Sequence, residues 1–200
     1  NPFNKSFIIN KLKKKKKIKF FKKNYLNIIS VGRLTDQKDH LTLLKAINLI
    51  KKLCKFKLIL IGRGNNSDKI NNYIKKNNLS KFVKIFYTTN PFPYIKQADI
   101  FLLSSQYEGL PNVLLESIAL RKFVISSKCP TGPNEILLNG KGGLLFKVES
   151  YKELSKKIIF YLNNKRLCTN MINISFKKLD RFDYNKNLLK YYSVIKKYIY

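Results

Sequence analysis

Two glutamates stand close together in a chain with few acidic residues. Glu108 and Glu116 lie eight positions apart in YEGLPNVLLES (107–117), whereas the whole chain has 11 Asp and Glu against 41 Lys and Arg. An apolar run precedes this segment, and Pro111 suits the first position of a following helix. Glu108 is therefore expected in a loop and Glu116 inside the helix. Carboxylates so placed can accept hydrogen bonds from neutral sugar or ribose hydroxyls; alternatively, one caps the helix and the other is a surface acid.

The residues between the two glutamates offer an anion a backbone surface. Gly109 has no side chain, so the main chain can approach a ligand closely. The amides of 109–112 lie near a helix N-terminus, where N–H groups attract negative charge. Two carboxylates beside an anion site are compatible with it only if they bind neutral hydroxyl groups.

A second candidate site is VGRLTDQKDH (31–40). Gly32 ends a short apolar run, and Arg33 and Lys38 flank the start of the next predicted helix. A guanidinium and an ammonium group near a helix N-terminus can clamp a diphosphate. The alternative is two solvated cations in a Lys-rich protein.

Other motifs favour structural roles. GRGNNS (62–67) follows an apolar run, but Ser67 replaces the third glycine of a dinucleotide fingerprint and no acidic residue stands about twenty positions on, so a tight turn is expected. The chain has no GxxxxGK[ST] phosphate loop. One histidine, His40, and three scattered cysteines predict neither a metal cluster nor a disulfide framework.

These candidates lie on a chain in which short apolar runs alternate with helical patterns. Strands are predicted at 26–32, 56–62, 81–86, 98–105, 122–127 and 143–146. Helices are predicted from about 41 to 50 and near 67–77, 91–97, 112–121, 133–139, 150–163, 164–178 and 184–199. This alternation predicts an α/β fold, a doubly wound, Rossmann-like parallel sheet of about six strands in the order 3-2-1-4-5-6 with C-terminal helices. Ligands then bind at the carboxyl ends of the first and fourth strands, near the loops after Gly32, after FLLSS and in CPTGP.

The formal charge of +30 has two explanations that stay open. The excess is mostly Lys, and Lys, Asn and Ile are favoured by AT-rich codons, so it can be compositional drift on a solvated surface; the alternative is binding to a polyanion or an anionic membrane. Residues 1–24, with KLKKKKKIKFFKK at 11–23, are predicted to be an exposed linker or arm, or else a membrane-surface patch. A domain at 25–180 and a helix at 181–200 follow. The sequence lacks a long apolar run, which predicts a cytoplasmic location, with peripheral membrane contact as the variant.

The motifs GRLTDQKD, LILIGRG, ADIFLLSSQYEGLPNVLLES and CPTGPNEIL, in this order, resemble the C-terminal domain of family 4 retaining glycosyltransferases. The resemblance covers most of 25–147, and Glu-x7-Glu is its most specific element. NPF at 1–3 is similar to the linker that enters this domain. The resemblance implies one half of a GT-B fold, the half that binds a nucleotide-diphospho-sugar.

The resemblance also implies roles for individual residues. Arg33 and Lys38 would hold the donor diphosphate, and Glu116 would accept hydrogen bonds from the ribose. Glu108 would contact the transferred sugar, and Leu115 would pack near the base. The catalytic set would be Glu108, Arg33 and Lys38. The donor-binding set would be Gly32, Arg33, Lys38, Glu108, Gly109, Leu110, Pro111, Asn112, Leu115 and Glu116.

By the same resemblance, the chain transfers a hexose or N-acetylhexosamine to a glycan or lipid-linked acceptor with retention, without a metal or separate cofactor. Two departures are notable: Tyr87 or Thr88 stands where the family has a glycine, and no acceptor-binding domain precedes the match. The isolated chain is therefore expected to need an acceptor-domain polypeptide for turnover. The alternatives are a binding subunit or truncated remnant without activity, and a polyanion or nucleic-acid binder using 11–23. Specific nucleic-acid recognition is not expected.

Overall fold

A computed structural model describes residues 3–12 and 18–199. Its described part forms a parallel sheet of six strands in the order β3-β2-β1-β4-β5-β6, which confirms the predicted α/β topology. The strands are β1 Leu26–Val31, β2 Phe56–Ile61, β3 Val83–Phe86, β4 Ile100–Leu103, β5 Phe123–Ser127 and β6 Leu144–Phe146. The chain order reverses between β1 and β4, so their carboxyl ends are neighbours at the switch point.

The helices follow the predicted segments closely, except for the first one, which lies in the segment predicted to be a linker or arm. They are α1 Lys5–Lys11, α2 His40–Ile50, α3 Ser67–Lys76, α4 Phe92–Gln97, α5 Asn112–Ala119, α6 Pro133–Ile136, α7 Tyr151–Asn163, α8 Lys165–Lys177 and α9 Tyr184–Ile199. Both α5 and α6 end earlier than predicted. Arg121 after α5 and Leu138 after α6 adopt a left-handed backbone with φ near 55°, which cannot continue a right-handed helix.

The sheet separates two hydrophobic cores, one on each face. Side chains alternate along each strand, so Ile28 of β1 faces the core covered by α2, α3, α7 and α8, whereas Ile29 faces the core covered by α4 and α5. Both are completely buried. Burial on both faces explains why the strands read as continuous apolar runs. Each fully buried aliphatic side chain stabilises the fold by about 1.5–3 kcal/mol.

The N-terminal segment differs from the exposed arm that its composition predicted. Phe3, Ile8 and Ile18 are buried in the second core. Helix α1 begins where the Asn4 side chain accepts a hydrogen bond from the Phe7 amide at 3.0 Å. The prediction is wrong for these residues because a few apolar side chains in a basic segment have partners elsewhere in the fold. Residues 1, 2 and 13–17 of the predicted arm lie outside the described residues.

The C-terminal end of the chain matches its predicted helix. A 3₁₀ turn at Leu179–Phe182 precedes α9, and none of the residues of α9 is buried. Within the described residues, no helix has both the length and the apolar character that crossing a bilayer requires.

Candidate functional site

The loop after β1 holds Lys38 in one position through its backbone. Lys38 ends a 3₁₀ turn that begins at Asp36, and Asp39 then takes a left-handed conformation (φ 40°) and caps α2 by accepting from the Thr42 amide at 3.1 Å. Ser104, at the end of β4, donates to the Lys38 carbonyl at 2.9 Å. Lys38 is thereby attached to both strands of the switch point.

The Lys38 side chain forms an ion pair with Glu108, across the switch point. Its Nζ lies 2.5 Å from Glu108 Oε1, and the two side chains are only 14% and 7% exposed. Ser105 Oγ donates to the same carboxylate oxygen at 2.6 Å. Two charges in so shielded a place attract each other more strongly than a surface pair would, since little water screens them. The structure therefore brings together one predicted cation and one predicted carboxylate.

The loop containing CPTGP is joined to the Glu108 loop by hydrogen bonds. The Glu108 amide donates to the Pro130 carbonyl at 2.9 Å, and Thr131 Oγ1 donates to the Glu108 carbonyl at 2.8 Å. Gly132 has a φ of +75°, and a Cβ there would lie 2.1 Å from the Gly109 carbonyl oxygen. Only glycine fits this contact without moving the Glu108–Gly109 backbone. The three loops expected to carry ligand residues thus meet at one edge of the sheet.

Arg33 lies on the exposed rim of this cluster. Its Nη2 donates to Gln37 Oε1 at 3.2 Å, and Gln37 Nε2 in turn donates to the Tyr107 carbonyl at 3.0 Å. Gln37 therefore connects the Arg33 loop to the Glu108 loop. Sequence reasoning missed Gln37, as it missed Ser105, because an amide or hydroxyl between two charged motifs has no distinctive spacing.

Glu116 belongs to a separate grouping. It projects from α5 into a cavity of about 430 Å³ that Phe3, Asn4, Phe7, Ile8, Asn112 and Tyr184 also line. Burial raises the pKa of Glu116 to about 7. The Asn112 Oδ1 atom is buried without a protein hydrogen-bond partner. A carboxylate and an unpartnered amide oxygen, one turn apart on α5, can both accept hydrogen bonds from ligand hydroxyls.

Three further predicted residues occupy different surroundings. Leu115 is completely buried in the second core. Helical periodicity turns Leu115 toward α4 and the sheet, and its expected packing near a base stays a prediction. Pro111 lies at the N-cap of α5, one residue before the predicted position. Leu110 is 37% exposed and lines a groove beside α9.

The loops after β2 and β3 contain the GRGNNS motif and Tyr87. A Cβ on Gly62 would lie 1.9 Å from the Gly32 carbonyl oxygen, so GRGNNS is the tight turn expected and packs on the loop after β1. At the end of β3, the Arg63 guanidinium lies 4.6 Å from the centre of the Tyr87 ring. An exposed aromatic thus stands where the family resemblance led us to expect glycine.

Within the described residues, His40 does not belong to a group of side chains that could hold a metal ion. His40 is buried, and burial lowers its pKa to about 4, so the imidazole is neutral at physiological pH. Across residues 3–12 and 18–199, no three His, Cys, Asp or Glu side chains are grouped so that they could hold a metal ion. The expected contact of Lys38 and Arg33 with an anionic ligand stays a prediction.

Comparison with known proteins gives one family. The sequence matches the family described as Glycosyl transferases group 1 over residues 11–178. It is 29% identical over 168 residues to N-acetylgalactosamine-N,N'-diacetylbacillosaminyl-diphospho-undecaprenol 4-alpha-N-acetylgalactosaminyltransferase of Campylobacter jejuni, covering 82% of this chain and 46% of that protein. It is 31% identical over 173 residues to the capsular polysaccharide biosynthesis glycosyltransferase CapH of Staphylococcus aureus, covering 84% and 46%.

A solved structure shares the fold. A variant of S. aureus TarM, crystallised with fondaparinux, alpha-GlcNAc-glycerol and UDP, superposes with a TM-score of 0.79 at 22% identity, covering 90% of this chain and 37% of that one. At this identity the likeness is one of fold. The chain spans less than half the length of each of these proteins.

Proposed function

The chain belongs to the group 1 glycosyl transferases, and on that premise we propose that it is the donor-binding half of a retaining enzyme that uses a nucleotide-diphospho-sugar. The observation that carries the proposal is the Lys38–Glu108 ion pair at the switch point, 2.5 Å between Nζ and Oε1. It places a shielded cation and a carboxylate together where open α/β sheets bind their ligands.

The two members of the pair suit the two parts of a sugar donor. Lys38, with Arg33 at the rim, is placed to neutralise a diphosphate, and a hydrogen bond to a charged group contributes about 1.5–3 kcal/mol. Glu108, whose carboxylate already accepts from Ser105 at 2.6 Å, is suited to hydroxyl donors on the transferred sugar. Before the donor binds, the two side chains neutralise each other.

Glu116 and Asn112 suit the ribose. Their oxygens lie in one cavity beside α5. The Asn112 amide oxygen accepts hydrogen bonds from hydroxyl groups, and so do both oxygens of the Glu116 carboxylate when it is ionised. Hydrogen bonds from two ribose hydroxyls favour the ionised carboxylate over the protonated form. The ribose is common to the donor and to the departing nucleotide, so this cavity would bind both.

The proposed chemistry breaks the bond between the anomeric carbon and the diphosphate oxygen. Negative charge then grows on the leaving diphosphate, and cations fixed beside it stabilise the transition state more than the ground state. An acceptor hydroxyl attacks the anomeric carbon from the face that the diphosphate leaves, and the leaving phosphate takes the hydroxyl proton. Lys38 and Arg33 perform the neutralisation in this scheme without a divalent ion.

The relatives support a substrate class. The C. jejuni protein is named for transfer of N-acetylgalactosamine onto a diphospho-undecaprenol glycan, and CapH is named for capsular polysaccharide synthesis. Transfer of a hexose or N-acetylhexosamine to a lipid-linked or cell-envelope acceptor fits this chain best. The chain spans less than half of those proteins, and we propose that turnover needs an acceptor-binding domain in addition to the residues given.

A thermal-shift panel tests the proposal. The full chain is heated with UDP, GDP, ADP and their sugars, each with chelator and then with magnesium, and with inorganic phosphate as the non-nucleotide control. A ligand present at 100 times its Kd stabilises by about 2.7 kcal/mol, which raises the Tm of a domain of this size by several degrees. We expect at least one nucleoside diphosphate to do so with chelator present.

Two controls make the result decisive. Lys38→Met should abolish the shift, whereas Lys75→Met, an exposed lysine on α3, should not. If no nucleotide stabilises the chain, or if Lys38→Met responds like the unsubstituted chain, the proposed donor site is wrong. A thermal shift that appears only with magnesium would refute the metal-independent chemistry but not the donor site.

A further inference from the structure

Two different parts of the chain form the cavity that contains Glu116. One side consists of Asn112 and Glu116 on α5, inside the residues 11–178 that match the family. The other side is mostly apolar and lies outside the matched residues; its members are Phe3, Asn4, Phe7, Ile8 and Tyr184. The family match therefore accounts for the side with Asn112 and Glu116 and not for the side opposite it.

The apolar side is fixed to the rest of the fold. The Tyr184 amide donates to the Phe3 carbonyl at 3.1 Å, which joins the start of α9 to the N-terminal segment. At the end of α1, Asn90 Nδ2 donates to the Lys11 carbonyl at 3.0 Å. Ile8, between these two contacts, is buried in the second core. Helix α1 is therefore held beside α5 by burial and by hydrogen bonds near both of its ends.

Phe7 differs from its buried neighbours on this side of the cavity. It lines the cavity, yet its side chain is 53% exposed. Its ring meets the Phe92 ring edge to face, with the centroids 6.2 Å apart, and Lys11 Nζ lies 5.4 Å from its centre. These contacts orient the ring and leave about half of the side chain uncovered. Phe7 thus presents aromatic surface to the same cavity as the Glu116 carboxyl group.

The cavity combines this aromatic surface with hydrogen-bond acceptors. Asn112 Oδ1 is buried and has no hydrogen-bond partner among the described residues. An apolar occupant would leave that oxygen unpaired, which is unfavourable for a buried group. A bare phosphate would bring negative charge to Glu116 and leave Phe7 uncovered. A nucleoside suits both sides, because its ribose hydroxyls donate hydrogen bonds and its base has an aromatic face.

We propose that Phe7 is a binding residue for the nucleoside part of the donor and packs against it from the side opposite Asn112 and Glu116. The inference rests on the proposed function, since it takes the ribose to lie in this cavity. The cavity volume of about 430 Å³ is within the range of small-molecule sites. Because every base has an aromatic face, Phe7 adds affinity for nucleosides in general and does not select one base.

Isothermal titration of the full chain with UDP, GDP and ADP tests this proposal. Phe7→Ala should weaken binding of each probe that the unsubstituted chain binds by about three- to tenfold, the effect of losing one aromatic packing contact. Alanine favours a helix, so α1 should keep its structure. Phe7→Tyr retains the ring and should bind the same probes as tightly as the unsubstituted chain does.

Ile9→Ala is the matched control on the same helix. Ile9 is 55% exposed and is not among the residues that line the cavity. It is two positions from Phe7, so the two side chains point to different sides of α1. Affinity should be unchanged in Ile9→Ala. Equal losses in the two alanine variants, or no loss in Phe7→Ala, would overturn the proposal.

Inorganic pyrophosphate separates the nucleoside contact from the diphosphate contact. It contains no nucleoside, so Phe7→Ala should not change its affinity, whereas Arg33→Ala should weaken it. Equal weakening of pyrophosphate and of the nucleoside diphosphates in Phe7→Ala would place Phe7 beside the diphosphate and overturn the proposal.

A fluorescent reporter locates the contact. The chain has no tryptophan, so Phe7→Trp provides a single probe at the cavity and Ile9→Trp a single probe on another side of α1. A nucleoside diphosphate at saturation should change the emission of Trp at position 7 and leave that of Trp at position 9 unchanged. A change at position 9 alone would refute the contact.

The outcomes distinguish this inference from the function on which it rests. Nucleotide binding that does not depend on Phe7 would refute the role of Phe7 and leave the proposed donor site intact. If the unsubstituted chain binds none of UDP, GDP and ADP, the proposed function fails and the role of Phe7 fails with it.

Discussion

Lys38 and Glu108 lie 70 residues apart in sequence, yet their side chains meet at 2.5 Å across the switch point of the sheet. The contact joins the loop after β1 to the loop after β4. While it persists, it neutralises a cation that an incoming diphosphate would need. A diphosphate would therefore compete with Glu108 for Lys38, whereas Arg33 and Glu116 lie outside this pair.

Substituting Glu108 should change the affinity for the sugar donor and the affinity for the plain nucleoside diphosphate differently. In Glu108→Gln, Lys38 loses its charged partner, so a nucleoside diphosphate should bind at least as tightly as before. The matching nucleotide sugar should bind more weakly, because the amide has half the acceptor capacity of the carboxylate. Isothermal titration of both ligands checks this, with Asp68→Asn on α3 as a charge-matched control. Equal weakening of both ligands would show that Glu108 does not serve the sugar.

Breaking the ion pair from one side should destabilise the fold. Lys38→Met leaves a carboxylate that is 7% exposed without its cation, and losing one partner of a buried pair costs about 3–5 kcal/mol. The double variant Lys38→Met with Glu108→Gln should recover part of that loss. Urea unfolding of the two single variants and the double variant gives the coupling free energy. Additive effects would mean that the pair contributes nothing beyond its separate members.

Replacing Arg33 should affect only ligands that contain phosphate. Its guanidinium lies on the rim beside Gln37, with donors directed toward the loop cluster. Arg33→Ala should weaken nucleoside diphosphates by about 10- to 150-fold, the equivalent of one charged hydrogen bond, and should leave the bare nucleoside unchanged. Isothermal titration of both ligands checks this prediction, with Arg166→Ala, at an exposed position on α8, as the control. Similar losses for nucleoside and diphosphate would place Arg33 at the base or ribose instead.

The pKa of Glu116 predicts two opposite pH effects. Burial raises it from 4.5 to about 7 in the folded state, so the folded protein binds the proton more tightly than the unfolded chain does. Stability from this group is therefore complete below about pH 4.5 and is lost as pH rises through about 7, by at most about 3 kcal/mol. Glu116→Gln should remove this dependence in urea unfolding at a series of pH values.

Nucleotide affinity should move the other way with pH if Glu116 binds the ribose. Ribose hydroxyls favour the ionised carboxylate, so affinity should rise as pH passes through about 7. Glu116→Gln should weaken the plain diphosphate and the sugar donor alike and should flatten this rise. The variant also corrects for titration of the diphosphate itself, which is the same in both proteins. A pH dependence that survives in Glu116→Gln would show that another group is responsible.

The sequence alone determined the order and kinds of the strands and α-helices from β1 onward. Runs such as FKLILI (56–61) are apolar throughout because β2 is buried on both faces, and this pattern can be read without a structure. The doubly wound order follows from the right-handed crossovers that helices make between parallel strands. From that order, the loops after β1 and β4 had to lie side by side. The predicted roles of the site residues rest on this placement and stay predictions.

Only the tertiary structure decided which side chains meet. The contact of Lys38 with Glu108 depends on the left-handed backbone of Asp39 and on the support that Gly132 gives to Gly109, and no local pattern records either. Only the structure shows that Leu115 lies in the core, because a helix rich in apolar residues does not reveal which face its neighbours cover. Phe3 was assigned to an exposed arm and is buried, because a basic segment does not reveal that its few apolar side chains have partners elsewhere in the fold. Local sequence sets backbone preference and periodicity, whereas burial and contact depend on residues far apart in the chain, which only the packed fold brings together.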